Sequence, residues 1–142
     1  MALPTKLTLE IVTPDRALAV EEVDEVVVPG SEGYLGVLPG HTPLLSTLKV
    51  GELWYRQGQE KHYLAIAFGF VEVLPDRVTV LAQVGERAQE IDVERAERAK
   101  QRAEELLRSP APHMDLDFER ARIAMMKSLI RLQVASRART RV

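Results

Sequence analysis

The hydrophobic period of this 142-residue chain changes once, near residue 86, and that change divides it into two parts of different fold class. Before it, apolar residues alternate with period two, as in Leu7-Thr8-Leu9-Glu10-Ile11, Val71-Glu72-Val73 and Val78-Thr79-Val80. Alternation of this kind marks strands that bury one face. Two other runs, Val26-Val27-Val28 and Leu64-Ala65-Ile66-Ala67-Phe68, read as buried on both faces. Turn signals separate the runs: Thr13-Pro14-Asp15, Pro29-Gly30-Ser31, Leu38-Pro39-Gly40, Gln57-Gly58-Gln59 and Leu74-Pro75-Asp76. Short strands at this spacing predict an antiparallel sandwich or barrel. A segment of about 85 residues can close one modest core.

After residue 90 the pattern is helical. Asp92 is placed to cap a helix over Val93–Leu107, which Ser109-Pro110-Ala111-Pro112 ends. Asp115 or Asp117 then caps a second helix, from Phe118 to Arg137. So short a connection predicts an antiparallel hairpin. Its facing surfaces are thin: Ala96, Ala99, Ala103, Leu106 and Leu107 against Ala121, Ala124, Ser128, Leu132 and Ala135. Each Ala in place of Leu forgoes roughly 2.4 kcal/mol of burial, at ~0.8 kcal/mol per methylene. Such a seam suits either a slight helical appendage or a helix pair built to come apart. The joint between the two parts falls at Gly85–Glu90.

Charge is as unevenly spread as hydropathy. Residues 120–142 carry seven basic side chains and no acidic one; with a net charge of −2 overall, residues 1–119 carry −9. A cationic helix on an acidic body can fold back on it or reach for an acidic partner. The apolar share of 46% and charged share of 28% are ordinary for a globular chain. No run approaches the ~18 apolar residues of a membrane span. The start, Met1-Ala2-Leu3-Pro4-Thr5-Lys6, has no secretory h-region, so a cytoplasmic location is expected.

The residues offer little for catalysis. With no cysteine, thiol chemistry and cysteine zinc sites are excluded. His41, His62 and His113 lie in separate segments without metal-ligand spacing. His62, beside Lys61 in a strand, is expected at the surface. There is no nucleophile elbow, P-loop or G-x-G-x-x-G; Gly30-Ser31-Glu32-Gly33-Tyr34-Leu35-Gly36 reads as a tight turn. The basic helix could grip nucleic acid as an adaptor module, but it lacks interleaved aromatics and the body is acidic.

Four segments then carry a resemblance. Val12-Thr13-Pro14-Asp15, Gly36-Val37-Leu38-Pro39-Gly40-His41-Thr42-Pro43-Leu44-Leu45, Gly69-Phe70-Val71-Glu72-Val73 and Val78-Thr79-Val80-Leu81-Ala82 resemble, in order and spacing, the epsilon subunit of bacterial F-type ATP synthase. The similarity covers nearly the whole chain. It implies a ten-stranded antiparallel β-sandwich over residues 1–86 and a regulatory two-helix domain over 87–142. It implies a non-catalytic subunit in the foot of the central stalk, coupling proton flow to rotation. The subunit would sit on the cytoplasmic side of the cell membrane and touch the membrane only through the complex. Ser31, Glu32, Gly33 and His41 would face the gamma subunit and the c subunits of the rotor ring. In this family the helices either fold down or extend. When extended, basic residues approach an acidic segment of the beta subunit and inhibit ATP hydrolysis; here these are Arg122, Lys127, Arg131, Arg137, Arg139 and Arg141.

No cofactor is required by the resemblance, but some members bind a regulatory ATP in the folded-down form. Their motif is I-D-x-x-R-A followed by two arginines four apart on the second helix. Ile91, Asp92, Arg95 and Ala96 match the first part, and Glu86 matches an upstream nucleotide-contacting acid. Arg102 and Arg131 join this set. The position four before Arg131 is Lys127, which keeps a charge for phosphate but loses the bidentate fork.

Overall fold

The structure is a computed structural model that describes residues 3–108 and 115–139. Seven strands form in chain order: β1 Leu7–Val12, β2 Ala17–Val23, β3 Glu25–Gly30, β4 Gly33–Val37, β5 Leu44–Gln57, β6 Glu60–Leu74 and β7 Arg77–Arg87. All five turn signals fall at or beside the breaks between them. The hydrogen-bonded order is β2-β1-β7-β6-β5-β3-β4. Every pairing is antiparallel except β1 with β7, which run parallel from Thr8↔Arg77 to Val12↔Leu81. The expected all-antiparallel arrangement is corrected at that one pair.

The expected ten strands are corrected to seven. β5, β6 and β7 are 14, 15 and 11 residues long, and each runs through a row where pairing lapses. Leu48↔Gly69 and Val50↔Ala67 pair, but not Lys49 with Phe68; Ala67↔Val84 and Gly69↔Ala82 pair, but not Phe68 with Gln83. At this crease the core-facing parity flips. On β6 it passes from Leu64 and Ile66 to Val71 and Val73, and on β5 from Leu48 to Leu53 and Tyr55. On β7 it passes from Val78, Val80 and Ala82 to Gly85, where a Cβ would meet Leu18 and Ile66. A straight strand keeps one parity along its length. A bend lets one strand serve both layers of a sandwich.

The backbone shows what the crease requires. Phe68 has φ +62° and Gly69 has φ +125°. A Cβ at Gly69 would lie 2.0 Å from the Leu81 carbonyl oxygen. Only glycine takes both that dihedral and that approach.

The core is filled by Leu7, Leu9, Ile11, Val23, Val26, Val28, Val37, Leu53, Leu64, Val71, Val73, Val78 and Val80, all fully buried. Tyr55 is also fully buried. Its hydroxyl accepts a 3.1 Å hydrogen bond from Arg87, which also donates to the Leu18 carbonyl at 3.0 Å. Burial pushes the phenol pKa up, and the Arg87 bond acts against that shift. The Tyr55 ring stacks on His62 at 4.9 Å between centroids, so His62 is half-buried rather than at the surface as expected.

The second unit runs from Ala88 to Val142, the first from Met1 to Arg87. A 3-10 turn, Ala88–Glu90, leads into α1, Val93–Arg108; α2 is Asp115–Arg139. Both helices run slightly longer than the sequence predicts. The Arg95 amide donates to Asp92 Oδ1 at 3.1 Å, so Asp92 caps α1. The seam buries Ala96, Ala103, Ala121, Ser128, Val134 and Ala135. Ser128 turns its hydroxyl back onto the Ala124 carbonyl at 2.8 Å, leaving it no polar bond to give across the seam.

Candidate functional site

Three groups of residues concern function: one end of the sandwich, the outer face of its sheet, and the helix pair. At the sandwich end, Ser31 and Glu32 form a two-residue turn between β3 and β4, closed by the Gly30↔Gly33 pair. Gly33, which closes the turn, has φ +136°, a backbone conformation open to glycine. The Ser31 amide donates to the Thr47 carbonyl at 2.9 Å, and the two hydroxyls also bond. Ser31 and Glu32 are exposed. His41 lies in the segment before β5, where its Nδ1 sits 2.7 Å from the Thr42 carbonyl and Gly40 donates to Pro75 at 2.7 Å. The turn is thus pinned at Thr47, on the strand that His41 leads into at Leu44. The turn lies against Thr47 and the His41 loop against Pro75, both beside the first part of β5.

The outer face beside them was missed by sequence reasoning. Phe70, Leu81 and Leu45 are 53%, 51% and 71% exposed. Thr47, Phe70, Leu81 and Val12 form one cross-strand row; Leu45, Glu72, Thr79, Glu10 and Val20 form the next. The core parity on these strands belongs to Ile11, Val71 and Val80, so the two rows face away from it. Neighbouring and diagonal positions on one sheet face are within reach of one another. Phe70 and Leu81 are direct neighbours with Leu45 diagonal to Phe70, while Val20, at 62% exposure, is separated from Leu45 in its row by Glu72, Thr79 and Glu10. The signal was present in Phe70 and Leu81, large apolar residues at the parity expected to be polar.

Of the proposed nucleotide residues, Glu86 is half-buried near the end of β7, in the first unit; the other seven belong to the second. Ile91 is buried, Asp92 is the cap, Arg95 is exposed in the first turn and Ala96 is fully buried. Lys127 and Arg131 are half-buried on α2. Ala96 lies as far before Arg108, the end of α1, as Lys127 lies after Asp115, the start of α2. Both helices rise equally per residue, so an antiparallel return sets these two level, and likewise Asp92 with Arg131. Arg102 is exposed nearly two turns beyond Ala96, on the wall of a cleft lined by residues 99–106 and 117–124.

The basic face of α2 is less uniform than its composition. Arg122 forms a two-point bond with Glu119 at 3.0 and 3.1 Å and lies 3.4 Å from Met126 Sδ. That hydrogen bond holds the Glu119 carboxyl below its usual range and raises Arg122. Arg137 is exposed, and Arg139 is the last residue of α2. Arg141 and His113 lie outside the described residues. Among those described, no group of His, Asp or Glu is arranged to hold a metal ion, and no helix is long and apolar enough to cross a membrane.

Comparison with known proteins bears on both units. Residues 6–88 match the family ATP synthase delta/epsilon chain, beta-sandwich domain; residues 89–136 match its long alpha-helix domain. The chain is 49% identical over 132 residues to ATP synthase epsilon chain 1 of Syntrophotalea carbinolica, covering 93% of this chain and 95% of the relative. It is 52% identical over 132 residues to the ATP synthase epsilon chain of Syntrophobacter fumaroxidans, covering 93% and 97%. In fold it is similar to a chain of the Euglena gracilis mitochondrial ATP synthase, with a TM-score of 0.80, 23% identity and coverage of 98% and 84%. Sandwich, helix pair and sequence agree over nearly all of its length, and the chain belongs to the family of ATP synthase epsilon chains.

Proposed function

We propose that this chain is a non-catalytic subunit of the central stalk, whose sandwich docks on the gamma subunit and the c subunits of the rotor ring. It works on the cytoplasmic side of the cell membrane and meets the membrane only through the complex. One observation carries this reading: the exposed apolar residues Leu45, Phe70, Leu81 and Val20 on one sheet face, next to the Ser31-Glu32-Gly33 turn and the His41 loop. An exposed apolar face interspersed with charged residues suits a protein contact. Solved assemblies that contain chains of this fold are described as F1 with the c-ring, and as central stalk with c-ring.

The helical unit acts as a brake. Its basic residues Arg122, Lys127, Arg131, Arg137, Arg139 and Arg141 approach an acidic segment of the beta subunit when the pair opens, and ATP held by Asp92, Arg95, Lys127 and Arg131 favours the closed pair. The helical register, which sets Asp92 level with Arg131 and Ala96 with Lys127, supports the nucleotide reading.

Reconstituted complexes test both halves. Phe70→Asp should abolish retention of the chain by gamma while leaving its β-type circular dichroism unchanged. Deleting residues 117–142 should leave assembly intact and raise ATP hydrolysis. Retention of Phe70→Asp, or no rise on truncation, would refute the corresponding half.

A further inference from the structure

The helix seam does not close along its whole length. Ala103 and Ala121 are buried, but Ala124 and Leu106 are exposed and Ala99 is half-buried. Where the sequence predicts contact, a cleft of about 430 Å³ remains between the last turns of α1 and the first turns of α2. Its interior is apolar, from Ala99, Leu106, Phe118 and Ala124. Its charged wall residues are Arg102, Arg120 and Asp117.

Among the described residues, neither Arg102 nor Arg120 forms an ion pair. Of the glutamates nearby, Glu104 pairs with Lys100 and Arg108 and Glu119 with Arg122, while Glu105, three residues after Arg102, is exposed. Among the described lining residues, two guanidiniums and one carboxylate leave an excess of one positive charge. The first turn of α2 adds its partial positive end. An apolar slot with a single net positive charge matches an amphipathic monoanion. A polyphosphate would find too little charge, and an uncharged alkane would leave both guanidiniums without a partner. At about 30 Å³ for each non-hydrogen atom, the share of a water molecule in the liquid, the cleft accepts a ligand of roughly fourteen such atoms.

We propose that this cleft binds a medium-chain fatty carboxylate, its chain along Ala99, Leu106, Phe118 and Ala124 and its carboxylate on Arg102 and Arg120. The site is separate from the nucleotide residues around Asp92–Ala96. It requires both helices, so an occupied cleft stabilises the closed pair by mass action.

The probe is sodium decanoate, below its micelle concentration, added to the full-length chain and followed by backbone amide chemical shifts. Saturable shifts are expected, confined to residues 99–106 and 117–124. Replacing Arg102 and Arg120 together by Gln should weaken binding at least about tenfold, the scale of a lost charged hydrogen bond. Both residues sit on the helix surface, so this variant should keep its helical circular dichroism. Ala124→Leu should abolish binding by filling the slot. The proposal fails if decan-1-ol binds the parent as tightly as decanoate does, or if the double Gln variant is unaffected. It also fails if ATP displaces decanoate, which would make the cleft part of a nucleotide site. A decanoate-insensitive dimer in sedimentation, broken by Ala124→Leu, would assign the cleft to a second copy of the chain.

Discussion

The sandwich and the helix pair solve the burial problem with opposite residues. In the sandwich, the buried positions hold Leu, Ile and Val on every strand but the exposed ends, with a buried Tyr55 tied by Arg87. Among the described hairpin residues they hold Ala96, Ala103, Ala121, Ser128 and Ala135, with Val134 the one large aliphatic. A fully buried Leu contributes about 1.5–3 kcal/mol and an Ala far less. The sandwich therefore gains far more from aliphatic burial than the helix seam does. A reversible opening is cheap only in the second.

The comparison can be attacked first at the crease. Gly69→Ala places a Cβ against the Leu81 carbonyl at a dihedral that L-residues avoid. A loss of about 3 kcal/mol or more is expected, on the scale of backbone strain plus a forced shift. Urea unfolding followed by near-ultraviolet signal should show it, and an unchanged midpoint would mean that the crease is not strained in this way.

Matched core substitutions sharpen the contrast. Leu9→Ala should destabilise the sandwich by about 3 kcal/mol. Ala103→Gly should cost the hairpin only about 1 kcal/mol, yet in thermal melts read by helical circular dichroism it should be the more disruptive change for its own unit. If the two units melt together in the parent and in both variants, the difference in seam strength has no consequence.

The cap comes next. Asp92→Ala removes the bond to the Arg95 amide and should cost α1 about 1 kcal/mol. Under the nucleotide reading it should also weaken ATP binding in calorimetry, as should Arg131→Ala, whereas Lys127→Arg should strengthen it. Indifference of ATP binding to all three would leave Asp92 with the cap alone.

The smallest effect is electrostatic and belongs to the sandwich. Asp24 bonds Lys6 and accepts from the Gly58 amide at 2.7 Å, with Arg56 3.8 Å away. The Lys6 bond, then the Gly58 bond, hold its carboxyl below the usual range. Its folded pKa lies below the unfolded value of about 3.9. The stabilisation is therefore present above that value and is lost as pH falls through the lower folded pKa. Asp24→Asn should flatten the stability profile below about pH 4 and lower it by a constant amount near neutrality, where the parent keeps the full contribution.

Much of this was written locally in the chain. The change of period at residue 86, the five turns, the Asp92 cap and the thin seam all follow from short-range patterns, because period and turn chemistry act over a few residues. So did the family, through motifs such as Leu38-Pro39-Gly40-His41. Four features needed the tertiary structure. β5, β6 and β7 cross the crease unbroken because Phe68-Gly69 bends without a turn, and no turn residue announces it. β1 pairs in parallel with β7, the first strand with the last, and local pattern does not encode the partner of a strand. The outer patch exists only because Phe70 and Leu81 become neighbours through pairing, and the cleft only because Ala99 and Ala124 are too small to close the seam. Sequence specified which residues bury a face; register between distant segments decided which exposed residues meet.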